Sequence, residues 1–212
     1  MNTIKFYKVG DDYGFFSNFW ESSIFIDSEI WPTVEHYFQA SKFQDEELKR
    51  KIRKSASPLM AANEGRSRVN ILKSDWEMIK DSVMEKALNV KFLQHPELRK
   101  KILDTADAII VEHTENDNYW GDGGDGTGQN KLGKLLMKIR ASLLQMESDS
   151  NLVIPPWMAF QNIDQHDMFW RMGFGETYLY QWSKYYLHLN AEEKNNYIAK
   201  FPADVGWDDI YD

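Results

Sequence analysis

Five of the 12 glycines in this 212-residue chain fall within eight positions, Gly121 to Gly128, in the run YWGDGGDGTGQN. Glycine loses the most backbone freedom on folding, ~0.5–1 kcal/mol relative to Ala in regular structure, so such a run ends whatever element precedes it. ADAIIVEHT comes before it, with a continuous apolar core that reads as a buried strand. NKLGKLLMKIRASLL comes after it and sets Leu132, Leu135, Leu136, Ile139 and Leu143 on one helical face. The chain must therefore run strand, tight loop, helix.

Four readings of that loop can be weighed. The first is a phosphate cradle. Glycine lets backbone N–H groups at a helix start approach an anion, but the G-x-x-x-x-G-K-[ST] pattern is missing, and Asp122 and Asp125 repel a phosphate on the loop. The second is a metal site. Asp117, Asp122 and Asp125 offer oxygen ligands, but there is no twelve-residue calcium loop ending in Glu, and GGDGTG is a single, partial copy of a calcium-repeat unit, so no metal is expected. The third is a plain turn. The fourth is the floor of a small-molecule pocket, where Trp120 stacks on a ring and Asp117 and Asn130 bind sugar hydroxyls or a base edge. The residues of the loop leave the last two open.

The remaining chain alternates short strands with helices. TIKFYKV reads as a strand, and SIFIDSEIWP as a hairpin turning at Asp27-Ser28. Pro32 and Thr33 open a helix predicted to run from Val34 to about Lys54. SASPLMAANEG is a short helix with Ser57 as cap, Pro58 at its first position and Gly65 as its stop. SDWEMIKDSVMEKALNVKFLQ carries a Ser74–Glu77 capping box and an apolar stripe of Ile79, Val83, Ala87 and Val90. HPELRKKIL is a further helix, with His95 as its cap. The predicted fold is α+β: a compact, helix-rich domain with a small number of short strands, followed by an aromatic-rich, mostly helical extension.

Composition narrows the function. With no cysteine, disulfides, thiolate catalysis and Cys-based zinc sites are excluded. A net charge of -8 argues against nonspecific coating of DNA or RNA but leaves room for a local basic cleft. The sequence lacks a signal-like amino terminus and any apolar run of ~20 residues, so the reading is a soluble cytoplasmic protein with no membrane partner. Residues 151–212 hold 14 of the 30 aromatic side chains and nine acids against four bases, while residues 1–150 hold 24 acids against 21 bases. Two compositions imply two parts, 1–145 and 146–212, joined near QMESDSNLVIPP.

Several stretches together resemble the NADAR family, also called YbiA-like. They are GFFSNF (14–19), WPTVEHYFQASKF (31–43), GRSRV (65–69), DWEMIKDSVMEKALNVKF (75–92) and the long run from Ile109 to Arg140. Each is weak alone; they occur in the family's order and cover residues 3–143 almost continuously. The resemblance implies a helix-rich α+β domain with a cleft, and an N-glycosidase that needs no cofactor. It implies one of two substrate types: ADP-ribose on guanine in a nucleotide or a locally gripped nucleic acid, or an early phosphoribosyl-amine intermediate of riboflavin synthesis.

The same resemblance suggests roles. Glu35, in the first turn of its helix where the dipole favours a carboxylate, orients or deprotonates water or stabilises an oxocarbenium ion. Lys42, two turns along the same face, forms an imine in a covalent route, with Lys91 as second choice. Asp117 and Trp120 complete the catalytic set, and with the resemblance the glycine loop reads as the wall of a nucleotide-sugar pocket, its glycines letting the backbone lie close to the ligand. Arg66 and Arg68 suit a diphosphate; Asn18, Trp76, Lys91, Glu112, Gly121 and Asn130 are further substrate-binding candidates. His36 reads as structural. A non-catalytic NAD or ADP-ribose sensor signalling through the extension is the rival reading. The extension is expected to pack on the first part, where it would narrow substrate choice. Nothing in the sequence sets the oligomeric state.

Overall fold

The strand before the glycine loop is β4, Ile109–Glu112, and it pairs in parallel with β1, Thr3–Phe6. The computed structural model describes residues 2–146 and 149–211. Contacts divide the chain into two units, Met1–Ser150 and Asn151–Asp212. Of the joint QMESDSNLVIPP, Glu147 and Ser148 lie outside the described residues.

In the first unit, β4 is less buried than its apolar sequence implies. Ile110 is fully buried, but Ile109 is 37 % exposed. Among the described residues this sheet has two strands, so alternate side chains look away from the core. The second sheet is the expected hairpin, β2 (Ile24–Ile26) with β3 (Glu29–Trp31). Asp27 and Ser28 take φ of 54° and 62°, as a two-residue hairpin of this hand requires.

The single helix predicted over 34–54 is two: α1, Val34–Ser41, and α2, Glu46–Arg53. Phe43 is buried in the link, and the Asp45 carboxylate accepts from the amides of Glu47 (2.9 Å) and Leu48 (3.1 Å). A new cap in mid-run offers the backbone an alternative to continuing the first helix. α3, Pro58–Gly65, starts as predicted, with Ser57 Oγ accepting from Met60 N. α4, Trp76–Gln94, departs from expectation at its start. Its N-cap is Asp75, without a side-chain cap bond, so the Ser74–Glu77 box does not form; Glu77 pairs with Lys80 instead. The buried face of α4 is Trp76, Met84, Ala87, Leu88, Lys91 and Phe92, with Ile79, Val83 and Val90 only flanking it. His95 is the N-cap of α5, Pro96–Leu103, as expected, its carbonyl accepting from Leu98 N and Arg99 N; its ring lies against the Ser23 carbonyl at 2.7 Å and makes no side-chain cap bond. α6, Lys131–Met146, covers β4 and buries Leu132, Leu136, Ile139 and Leu143 as predicted.

The core of this unit joins Phe6, Phe16, Ile24, Val34, Phe38, Leu88, Phe92 and Leu136, among others. At ~1.5–3 kcal/mol for each such side chain, this burial is the main favourable term.

The second unit contains α7 (Pro156–Ala159), a 3-10 turn (Met168–Arg171), α8 (Gly173–His188) and α9 (Ala191–Lys200). Tyr178, Trp182 and Tyr186 form the buried face of α8, with Trp182 and Tyr186 stacked at 5.6 Å. The polar tips of Tyr178 and Trp182 are satisfied locally. Tyr178 donates to Ile154 O at 2.9 Å, and the Tyr197 hydroxyl donates to Val153 O at 2.7 Å while accepting from Trp182 Nε1. The Asn190–Glu193 capping box of α9 is present. No helix among the described residues is long and apolar enough to cross a membrane.

Candidate active site

α1 is an unusual short helix. Seven of its eight residues are buried, including Glu35, His36 and Gln39. Thr33 caps it and holds the His36 ring at 2.8 Å, which makes His36 a structural residue. The amide of Glu35, one of the unsatisfied donors of the first turn, donates to Asn18 O at 3.1 Å. That bond pins the segment Ser17–Phe19 beside the start of α1. Beneath that segment, Lys91 is fully buried on α4, its ammonium donating to Phe15 O (2.6 Å) and Ser17 O (3.1 Å).

A cavity of about 200 Å³ opens here. It is lined by Ser17, Asn18, Phe19, Glu35, Phe38, Gln39, Lys42, Arg66, Met84, Glu112, Asp117 and Trp120. Of the residues expected from sequence, Asn18, Glu35, Lys42, Arg66, Glu112, Asp117 and Trp120 therefore meet in one place. Arg68, Trp76, Lys91, Gly121 and Asn130 do not line it. Arg68 is exposed on the loop after α3. Trp76 is core, its ring edge-on to Phe38 at 5.1 Å. Phe38 in turn meets Trp120 edge-on at 5.5 Å, so Trp76 supports Trp120 through Phe38.

The glycine loop plays a different part from the one expected. Asp117 Oδ1 accepts from the amides of Tyr119 (2.8 Å) and Trp120 (2.7 Å), and this turn presents Trp120 to the cavity. Gly121 then passes so close to the chain that a Cβ would lie 2.7 Å from Thr114 and 3.0 Å from Glu112 O. The later glycines wrap Asp122, whose carboxylate accepts from Thr114 N and Gly124 N and meets the His113 ring at 2.8 Å. They line a separate hollow with Lys5 and Val111. Asn130, at φ 48°, bonds along β4, accepting from Glu112 N at 3.0 Å and donating to Ile110 O at 2.9 Å. It thus acts as an extra strand that fixes Glu112. The wall of the cavity is the Asp117–Trp120 turn, not the glycines.

Electrostatics divide the site. Burial raises the Glu35 carboxyl above the usual range, against the pull of Gln39, Arg66 and Lys42. Gln39 Nε2 donates to Glu35 Oε1 at 2.7 Å. Burial lowers the Lys42 amine, whose Nζ donates to Gly65 O at 3.2 Å. Glu112 is pushed up to about 8 by burial, then by Asp117, Glu35 and Asp122. Among the described residues no cluster of three or more metal-ligating side chains is placed to hold an ion.

Gln39, Ser17, Phe19, Phe38 and Met84 line the cavity without having been expected from sequence. For Gln39 a signal existed: it stands four residues after Glu35, the spacing of facing side chains on a helix.

The NADAR domain model matches residues 5–144. The chain belongs to the NADAR family. N-glycosidase YbiA of Escherichia coli is 56 % identical over 140 residues, which cover 66 % of this chain and 88 % of that protein. A riboflavin biosynthesis protein of Vibrio vulnificus, VVA0006, is 39 % identical over 150 residues, 71 % of this chain and 41 % of that one. The NMR structure of E. coli YbiA aligns with a TM-score of 0.64 at 48 % identity, covering 78 % of this chain and 92 % of its own. The helix-rich α+β architecture is therefore that of a NADAR protein, and the resemblance read from the motifs holds.

Proposed function

We propose that this NADAR protein is an N-glycosidase, a hydrolase of the bond between a ribose anomeric carbon and nitrogen. The observation that carries the reading is the convergence of Glu35, Asp117 and Glu112 with Lys42, Arg66 and Trp120 around one cavity. Carboxylates stabilise positive charge at an anomeric carbon and activate water. A guanidinium at the rim grips phosphate, and an indole packs against a flat ring. The names of its relatives, an N-glycosidase and a riboflavin biosynthesis protein, point the same way.

A volume of about 200 Å³ is below the ~300–1,000 Å³ common for ligand pockets. That size suits a phosphoribosyl-amine carrying one small heterocycle, with its phosphate at Arg66. A second reading, ADP-ribosylated guanine, is favoured by Arg66, whose guanidinium in the cavity lining suits a phosphate of a diphosphate.

The test is direct. The purified chain is incubated with a riboflavin-pathway ribosylamine and with ADP-ribosyl guanosine, and release of the base is followed by chromatography. Turnover that disappears in a folded Glu35→Ala protein supports the assignment. Tight ADP-ribose binding without turnover of either compound would instead favour a non-catalytic sensor.

A further inference from the structure

The cavity holds two glutamates, Glu35 buried and Glu112 half-buried, in opposite company. Glu35 Oε1 accepts a hydrogen bond from Gln39, and Lys42 and Arg66 line the cavity on that side. The groups that favour the charged form of a carboxyl are therefore gathered around Glu35, where they oppose the burial that raises it. Glu112 has none of them. Its Oε2 is buried and has no hydrogen-bond partner among the described residues. Its backbone is immobilised on both sides, the amide donating to Asn130 Oδ1 and the carbonyl accepting from Asp122 N at 2.9 Å.

The surrounding elements bring no cation to Glu112. Just past the end of its strand comes His113, whose ring is held by Asp122. From β1, Phe6 stands opposite Glu112, and Lys5 opposite Val111, so Lys5 faces the other side of the sheet. From α6, Lys131 is paired with Asp81 and Lys134 is exposed. From α4, Lys91 is bound to the Phe15 and Ser17 carbonyls. The charges that act on Glu112 are the acids Asp117, Glu35 and Asp122, and they reinforce burial in keeping it neutral.

Two carboxyls facing one cavity, one ringed by donors and cations and the other with an unpartnered oxygen, suit the base and the acid of one reaction. Resting on the N-glycosidase reading, we infer that Glu112 is the proton donor to the leaving nitrogen and Glu35 the anion on the opposite side of the reaction. As the C1–N bond breaks, its electron pair stays on nitrogen and the Glu112 carboxyl proton moves onto it. Water adds to C1 and yields its proton to Glu35, and solvent exchange restores both groups. The unpartnered Oε2 of Glu112 thereby gains the one partner it lacks, the substrate nitrogen.

The experiment compares two probes in wild type and Glu112→Gln: a riboflavin-pathway ribosylamine, whose leaving nitrogen needs a proton, and p-nitrophenyl riboside 5-phosphate, whose leaving group does not. A general acid contributes ~10²–10⁴-fold, so Glu112→Gln should lose that factor on the amine and less than about tenfold on the nitrophenyl probe. The basic limb of kcat/KM, which falls as pH rises through the Glu112 carboxyl, should vanish in the variant. Equal losses on both probes, or a basic limb that persists, overturns the assignment. Infrared difference spectra of the resting protein supply a readout free of turnover. A carboxylic-acid band at neutral pH that disappears in Glu112→Gln is expected, and its absence from wild type also overturns the assignment. A wild type inert to every N-glycoside, yet showing the acid band, refutes the N-glycosidase reading and the donor role together while leaving the neutral carboxyl standing.

Discussion

Gly65→Ala offers a sharp test of how α1 and α3 support the site, because two simple arguments give opposite signs. Gly65 closes α3 and does not have positive φ. By helix propensity alone, alanine there stabilises by about 0.5–1 kcal/mol. The geometry argues the reverse. A Cβ at position 65 would sit 2.1 Å from Gln39 Oε1, 2.8 Å from Gln39 Cβ and 2.9 Å from Gln39 Cδ. Gln39 is only 3 % exposed, so it has little room to retreat. If it stays, α1 and α3 are forced apart, an overpacking cost of about 1–3 kcal/mol. If it swings away, Glu35 loses a charge-assisted hydrogen bond, about 1.5–3 kcal/mol. Over the middle of their ranges either cost exceeds the propensity gain, so the net is a loss of up to about 2.5 kcal/mol. At 2–4 °C per kcal/mol for a chain of this size, the melting temperature should fall by up to about 10 °C. Thermal unfolding followed by circular dichroism measures it. Repeating the substitution in a Gln39→Ala background should recover part of the loss, because Oε1 and Cδ are gone while the Cβ contact remains; a coupling of at least about 0.5 kcal/mol is expected. The acid limb of activity should also move to higher pH, because the Gln39 bond is what opposes the burial-driven rise of Glu35. A Gly65→Ala protein that melts at or above the wild-type temperature, or whose loss is unchanged without Gln39, refutes the reasoning.

Three further outcomes are expected. Burial lowers Lys91 from 10.5 to about 7, so between those pH values the unfolded chain binds the extra proton and wild-type stability rises with pH. At 1.36 kcal/mol per unit, the gain from pH 7 to 9 is up to about 2–3 kcal/mol; denaturant titrations of Lys91→Met should show that slope flattened, and an equal slope in both proteins defeats the prediction. Tyr197→Phe removes the partner of both Val153 O and Trp182 Nε1, leaving two buried groups unpaired at about 1–3 kcal/mol each; a near-neutral change in unfolding monitored by tryptophan fluorescence would count against the aromatic core described for the second unit. If the reaction runs through an imine, borohydride should trap a covalent sugar adduct on wild type but not on Lys42→Ala; a folded Lys42→Ala protein with undiminished rates removes the imine route at that residue.

Much of this architecture was legible in local chemistry. Ser57, Pro58 and Gly65 bracket α3, Asp27-Ser28 turns the hairpin, and the Leu132–Leu143 stripe marks the face α6 buries. These features depend on neighbours in sequence. The misreadings depended on contacts from afar. The break after α1 follows from burying Phe43 and capping α2 with Asp45, and neither shows in the apolar spacing. The start of α4 follows Trp76, which is drawn onto Phe38. Lys91 looked like a second reactive amine, yet it is a tether between α4 and the carbonyls of a 3-10 turn 74 and 76 residues away in sequence. The glycines read as a pocket floor because Trp120 and Asp117 stand next to them. Only the three-dimensional path separates the turn that faces the cavity from the loop that wraps Asp122.

The two walls of the site are held in the same manner, which bears on why it tolerates so many buried charges. Glu35 is fixed through its amide to Asn18 O at the start of a helix buried on almost every side. Glu112 is fixed through its amide to Asn130 at the end of a two-stranded sheet. In both cases the backbone is anchored by an asparagine, and the carboxyl is left to be tuned by what surrounds it. An isolated buried carboxylate is costly, and a fold escapes that cost by supplying partners or by neutralising the group. This cavity treats its two carboxyls unequally: Gln39, Lys42 and Arg66 oppose the burial that raises Glu35, while Asp117, Glu35 and Asp122 add to the burial that raises Glu112. The asymmetry that makes the pocket affordable to the fold is the same asymmetry that separates a base from an acid across an anomeric carbon.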